Sequence, residues 1–302
     1  MKLPNFLVIG AGKSGTTSLY FYLAQHPEIY LSPIKEVNFL AVEGHPPLFQ
    51  GLRDEREAKA CFSITTLEQY CKLFSGVSNE KAVGEISPYY LYSETAPERI
   101  YHYTPDAKLI AILRNPVDRA YSNYLHLLRD GREPLPRFDD ALKAEELRIE
   151  NNWSPSWFYR SSGYYYKFLS RYFERFDTHQ IKIWLFEDYV TDPEKVVQEI
   201  FKFLGVDPTF IPDTTERYNI SGIPKYRILH SLITKNRSIK SLVKPFMSKQ
   251  LIKVFTDLRN SNLEKPPAMS LELRRELVEE YRTDIIQLQD LIQRDLSAWL
   301  RA

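Results

Sequence analysis

A short apolar run, a glycine-rich turn and a predicted helix start follow one another within the first 25 residues. Residues 6–9 (FLVI) are continuously apolar and rich in β-formers, which predicts a buried strand. Residues 10–15 (GAGKSG) form the turn, and Thr16 opens a helical stretch that we expect to end near Gln25, before His26-Pro27. The order is strand, glycine-rich loop and helix, which is typical of a sheet covered by helices.

Two further strand and helix pairs follow. Residues 108–113 and 181–186 are predicted strands, each followed by a helix, at 117–129 and at 193–204 with Gly205 as its C-cap. Alternating strands and helices predict one α/β, P-loop-like domain over residues 1–302, with a central parallel sheet flanked by helices on both faces. Within it we expect residues 43–80 to be an insertion with one helix near 67–74, and residues 268–302 to form closing C-terminal helices.

Composition excludes several functional classes. Forty basic against thirty-nine acidic residues give a net charge of +1, so no global field draws nucleic acid or an anionic membrane. Cys61 and Cys71 are too few for a disulfide framework or a four-cysteine zinc site, and no Asp-rich metal cluster is present, so we expect no metal. No apolar stretch approaches about 18 residues, which predicts a cytoplasmic protein without a transmembrane segment.

The glycine turn predicts a cradle for a phosphate-like anion. Glycines let backbone N–H groups approach a ligand, and the following helix start adds unpaired donors and partial positive charge. The turn and the first helical residues also supply one cation, Lys13, and the four hydroxyls of Ser14, Thr16, Thr17 and Ser18. Gly15 lies between Ser14 and Thr16.

Two nucleotide loops compete for this turn. A Walker A loop would need its first glycine where Leu7 stands, inside the strand. Gly10, Gly12 and Gly15 do fit the spacing of a dinucleotide loop, with Glu28 or Glu36 as the later acidic residue, although a lysine at the fourth position suits that loop poorly.

A second anion site is predicted where the strand at 108–113 ends. Arg114 follows that strand directly, where ligands of open α/β sheets bind, and its planar guanidinium suits phosphate. Ser122 lies two helical turns further on, so that both side chains can face one crevice; Arg119 is assigned a structural role.

These segments resemble the nucleotide-binding motifs of sulfotransferases that use 3′-phosphoadenosine 5′-phosphosulfate (PAPS). Residues 13–17 (KSGTT) resemble the family's 5′-phosphosulfate loop, and Arg-x-Pro followed by Arg-x-x-Ser at 114–122 resembles its 3′-phosphate motif. The resemblance implies that Lys13 and the loop hydroxyls bind the phosphosulfate and that Arg114 and Ser122 bind the 3′-phosphate. A late loop at 219–227 resembles the one that closes over the nucleotide, which would add Ser221, Gly222, Lys225 and Arg227.

The acceptor side resembles the carbohydrate and heparan sulfate sulfotransferase domains. Glu36 stands where those enzymes carry a glutamate base, and none of the six histidines has the context of a histidine base. Lys35, Glu85 and Tyr164 are candidates for contacts to the acceptor, with a salt bridge to Lys35 as the alternative role of Glu36 and a structural one for Glu85. Ile86 stands where a lysine is common in the family, which argues against a heparan-like acceptor.

The predicted activity is transfer of a sulfuryl group from PAPS, in line and with Glu36 as base, to a hydroxyl or amine of a small-molecule or carbohydrate acceptor. Lys13 is the second catalytic residue, and 3′,5′-ADP is the nucleotide product. A P-loop nucleotide kinase and a non-catalytic nucleotide- or glycan-binding protein remain the alternatives; no nucleic-acid partner is expected.

Overall fold

Five parallel strands form the centre of the molecule. A computed structural model describes residues 2–215, 223–224, 263–264 and 266–302. The strands are β1 (Phe6–Gly10), β2 (Ile29–Leu31), β3 (Ala82–Ile86), β4 (Lys108–Leu113) and β5 (Ile181–Leu185), in the spatial order β2-β3-β1-β4-β5. A separate antiparallel pair, β6 (Ile223–Pro224) and β7 (Leu263–Glu264), lies outside this sheet.

Successive residues of the central strands pack into opposite layers, which explains their continuous apolar runs. In β1, Phe6 and Val8 join a core on one face of the sheet, while Leu7 and Ile9 join a larger, aromatic-rich core on the other. Side chains alternate across a strand, so a strand covered on both faces must be apolar at every position. The predicted α/β class with helices on both faces is confirmed.

Helices cover both faces of the sheet. In the described residues, the α-helices are α1 (Thr16–Leu23), α2 (Phe39–Val42), α3 (Asp54–Cys61), α4 (Leu67–Lys72), α5 (Ala96–Tyr103), α6 (Pro116–Arg129), α7 (Phe138–Lys143), α8 (Glu145–Glu150), α9 (Tyr165–Phe173), α10 (Phe186–Thr191), α11 (Pro193–Leu204) and α12 (Leu271–Ile292). Helix α6 begins where the side chain of Asn115 accepts hydrogen bonds from the first turn, and α11 ends at Gly205 with φ 81°.

Strands β2 and β3 were not predicted from the sequence. β2 has only three residues, and β3 (AVGEI) contains a glycine and a glutamate that weaken its apolar signal. The packing of β3 explains both the glycine and the glutamate. A Cβ on Gly84 would lie 2.4 Å from the ring of Phe6, and Glu85 is fully buried among hydroxyl groups.

The segment predicted as an insertion is packed against the domain. It carries two helices, α3 and α4, where one near 67–74 was predicted, and Asp54 and Tyr70 within it are fully buried. The C-terminal region forms α12 and a short 3₁₀ turn at Ser297–Leu300, and α12 contacts α6 and α9. Among the helices that the structure describes, none combines the length and apolar character needed to cross a bilayer.

Candidate active site

The predicted anion-binding residues lie at the carboxyl ends of neighbouring strands. β1, which precedes Lys13, lies between β3 and β4 in the sheet, and β4 precedes Arg114. The chain runs from β1 towards β2 on one side and later to β4 on the other, which makes this edge a topological switch point. Ligands of open α/β sheets bind in the crevice at such a point.

The loop between β1 and α1 has a left-handed backbone at two positions. Lys13 has φ 71° and Gly15 has φ 84°. A Cβ on Gly15 would lie 2.8 Å from the ring of Tyr189, so both backbone conformation and space require glycine there. The N–H of Gly12 donates to the hydroxyl of Tyr92 (3.2 Å), which anchors the first half of the loop.

Lys13 has charged neighbours of both signs. Burial, followed by the positive charge of Arg129, lowers the pKa of Lys13 to about 7, and Arg114 adds to the same effect. The carboxylates of Asp130 and Glu36 oppose it. An anion at this position would stabilise the charged ammonium, so the site favours an anionic ligand.

Arg114 connects the two predicted anion-binding segments. Its Nη1 donates to the carbonyl oxygen of Lys13 (3.3 Å), and its guanidinium lies 4.7 Å from the ring centre of Phe186. Its own carbonyl accepts from the hydroxyl of Tyr165 (3.0 Å), and burial lowers the pKa of Arg114. The two cations therefore belong to one crevice on one edge of the sheet.

One hydroxyl of the loop is buried without a partner. In the described part of the chain, no group hydrogen-bonds Oγ of Ser14, whose side chain is fully buried. A buried polar atom normally has a partner, and a ligand oxygen at the loop would supply one for this hydroxyl. Together with the loop cation and the start of α1, it fits a phosphate or sulfate ester.

Glu36 lies at the same edge of the sheet, and its side chain is partly exposed to solvent. It follows β2, its N–H donates to the carbonyl of Ile86 at the end of β3 (2.9 Å), and its backbone is left-handed (φ 62°). The side chain is 42% exposed and forms a short ion pair with Lys35. A carboxylate that is accessible and near Lys13 can accept a proton from an incoming group.

A further charged group was missed in the sequence, at the end of α6. Nη2 of Arg129 lies 2.7 Å from Nδ1 of His126, which therefore accepts and leaves the ring proton on Nε2, while Asp130 lies 3.8 Å from Nε2. Burial and the charge of Lys13 lower the pKa of His126, so its ring is neutral. Because these residues follow Ser122 by four, seven and eight positions, helical periodicity could have identified them.

A family model described as "Sulfotransferase family" matches residues 4–210, which include every segment of this crevice. The chain belongs to the sulfotransferase family.

Individual relatives agree with this assignment. The chain is 33% identical over 217 residues, 69% of its length, to the bifunctional heparan sulfate N-deacetylase/N-sulfotransferase 4 of Mus musculus, and 28% identical over 99% of its length to enzyme 1 of that series from the same species. It spans only 23% and 31% of those two proteins. A crystal structure of a sulfotransferase from Alicyclobacillus acidocaldarius is 37% identical, with a TM-score of 0.79 and full coverage of both chains.

The remaining predicted site residues differ in burial and contacts, and four of them lie outside the described residues. Ser122 is buried on α6, and Thr16 is buried in the first turn of α1, where Thr17 and Ser18 follow it. Tyr164 donates to Glu280 (2.8 Å). Ser221, Gly222, Lys225 and Arg227 lie outside the described residues.

Glu85 has the contacts of a structural residue. Its carboxylate is 0% exposed and accepts from the hydroxyls of Ser87 (2.7 Å), Tyr70 (2.8 Å) and Tyr90 (2.5 Å). Burial raises the pKa of Glu85. These contacts favour the structural alternative over a direct contact with the acceptor.

Proposed function

We propose that this chain transfers a sulfuryl group from PAPS to a hydroxyl or amine of an acceptor. The observation that carries the proposal is the hydrogen bond from Arg114 to the carbonyl of Lys13, which joins two anion-binding segments in one crevice. PAPS has two anionic groups on one adenosine, a 5′-phosphosulfate and a 3′-phosphate. The loop at Lys13 would hold the first, and Arg114 with Ser122 would hold the second.

The donor supplies an electrophilic sulfur whose bond to the phosphate oxygen breaks during transfer. Lys13 and the loop N–H groups would stabilise the negative charge that develops on that oxygen; one such preorganised donor is typically worth about 2.7–4 kcal/mol. Glu36 would take the acceptor's proton, a contribution of about 10²–10⁴-fold.

A carbohydrate acceptor is the class that we favour. The relatives whose names state an acceptor act on heparan sulfate or other carbohydrates. Ile86 removes one cation from the acceptor side, and its side chain is fully buried here. We therefore propose a glycan acceptor less anionic than heparan sulfate. The cytoplasmic location, the absence of a metal and the single-domain boundaries stay predictions.

Calorimetry with 3′,5′-ADP and with ATP, each with and without Mg²⁺, tests the donor site. We expect 3′,5′-ADP to bind more tightly than ATP, and Mg²⁺ to leave its affinity unchanged. Tighter, Mg²⁺-dependent ATP binding would instead support a P-loop kinase. A screen of neutral and anionic oligosaccharides with ³⁵S-labelled PAPS then tests transfer; binding without consumption of PAPS by any acceptor would leave only a binding protein.

A further inference from the structure

Helix α3 is attached to the domain by two carboxylates. Asp54 is fully buried and accepts from Nη2 of Arg132 (2.6 Å), Nε1 of Trp157 (2.8 Å) and the N–H of Ser154 (2.7 Å). Glu57, one turn later, accepts from the same Nη2 of Arg132 (2.7 Å). A buried charge with this many donors fixes the position of its partners closely.

Arg132 belongs to the turn that ends α6. The turn bends at Gly131, which has φ 66°, and Arg53 donates to the carbonyl of Asp130 (3.4 Å). The segment just before the start of α3 and the helix itself thus hold residues 130–132 from the outside. The guanidinium of Arg132 also lies 5.2 Å from the ring centre of Trp157.

The same turn carries the charges that act on Lys13. Arg129 and Asp130 stand directly before Gly131, and His126 is bonded to Arg129 through the 2.7 Å contact described above. A rotation of this turn would move Asp130 and Arg129, and with Arg129 its contact to His126, relative to the reacting end of the site. Displacements of about 1 Å at such a position can reduce turnover by about 100-fold.

We propose that Arg132, held by Asp54 and Glu57 of α3, is a positioning residue that fixes the His126–Arg129–Asp130 group against Lys13. The segment that resembles an insertion would then take part in catalysis without touching the donor. This inference rests on the proposed role of Lys13 at the sulfuryl end.

Arg132→Met is the test, because the carboxylates of Asp54 and Glu57 keep their other hydrogen-bond donors in this variant. We expect kcat to fall about 10- to 100-fold, while the affinity for 3′,5′-ADP at pH 7 is retained. That affinity should also begin to fall at a higher pH than in the wild type, because Arg129 lowers the pKa of Lys13 more strongly than Asp130 raises it. Arg132→Lys keeps the positive charge. It should therefore show nearly the wild-type kcat and nearly the wild-type pH dependence of 3′,5′-ADP affinity.

Arg160→Met is the matched control, since Arg160 forms an ion pair with Glu280 (3.1 Å) on α12, outside the contacts of this turn. We expect wild-type kcat and pH dependence in it. An equal loss in both variants, or a folded Arg132→Met with unchanged kcat and pH dependence, would overturn the proposal. If Arg132→Met does not fold, Glu57→Gln should show a smaller fall in kcat and a smaller shift in the pH dependence of affinity. Wild-type values for both in Glu57→Gln would also overturn the proposal. The pH dependence needs no acceptor, so it tests the positioning role even if no transfer is detected.

Discussion

Lys13 combines a left-handed backbone, partial burial and neighbouring charges at the end of the first strand. Since its pKa is about 7, the ammonium is largely charged below pH 7 and largely neutral above it. A bound anion favours the charged form and raises this pKa, so binding above pH 7 takes up a proton.

The affinity for 3′,5′-ADP should therefore fall as pH rises from 7 to 9, by at most about tenfold per pH unit. This interval avoids the titration of the phosphate itself, which is centred near pH 6. Calorimetry at several pH values measures the slope. Lys13→Arg should bind with little pH dependence, because a guanidinium stays charged throughout. An identical slope in both proteins would contradict the role of Lys13.

Glu36→Gln should reduce turnover by about 10²–10⁴-fold, because the amide cannot accept the acceptor's proton. Donor binding should survive, since the Glu36 side chain is partly exposed and forms its ion pair with Lys35. Rates with labelled PAPS and calorimetry with 3′,5′-ADP separate the two effects. Lys35→Met serves as the control for loss of the ion pair alone. Near-normal turnover in Glu36→Gln would rule out the assigned base.

Arg114→Ala should weaken binding of 3′,5′-ADP by about 10-fold or more, a loss of about 1.4 kcal/mol or more. Binding of AMP, which lacks the 3′-phosphate, should change much less. The ratio of the two affinities, measured by calorimetry, isolates the 3′-phosphate contact from any general loosening of the crevice. Equal losses for both nucleotides would show that Arg114 supports the loop at Lys13 rather than the phosphate.

At the scale of elements, the sequence predicted those whose pattern is local. The apolar runs of β1, β4 and β5, the helices α1, α6 and α11 and the C-cap at Gly205 agree with the structure to within a few residues, whereas α10, directly after β5, was not predicted. Strand β3 was not predicted, because the contacts that explain Gly84 and Glu85 are made with the ring of Phe6 and with three hydroxyl groups rather than within a local pattern. The hydrogen bonds from Arg132 to Asp54 and Glu57 could not be predicted either, because they join residues 75 or more positions apart in the sequence.

Gly84→Ala tests the close contact between β3 and β1. Its new Cβ would lie 2.4 Å from the Phe6 ring, so the two strands must separate or the ring must move. We expect a loss of about 1–3 kcal/mol in the free energy of unfolding, measured by urea denaturation. Adding Phe6→Leu should recover part of that loss by removing the ring. Full stability of Gly84→Ala alone would show that the strands adapt without cost.

At the scale of the whole molecule, α12 closes the larger core. Tyr281 is 0% exposed, and its hydroxyl donates to the carbonyl of Arg160 (2.8 Å), whereas Ile286 on the same helix is 45% exposed. Tyr281→Ala should lower the free energy of unfolding by about 3–5 kcal/mol, against about 0.5 kcal/mol or less for Ile286→Ala. Urea denaturation of both variants measures the difference. Similar losses would mean that α12 contributes little through its buried face.

The Lys13 loop and the turn at 130–132 are held by different parts of the chain. Lys13 and Arg114 lie in short connections that leave the central strands directly, while α3, which holds Arg132, belongs to a long segment between β2 and β3. A change in the length of that segment would therefore leave the strands and the nucleotide contacts in place and act only on the turn that follows α6.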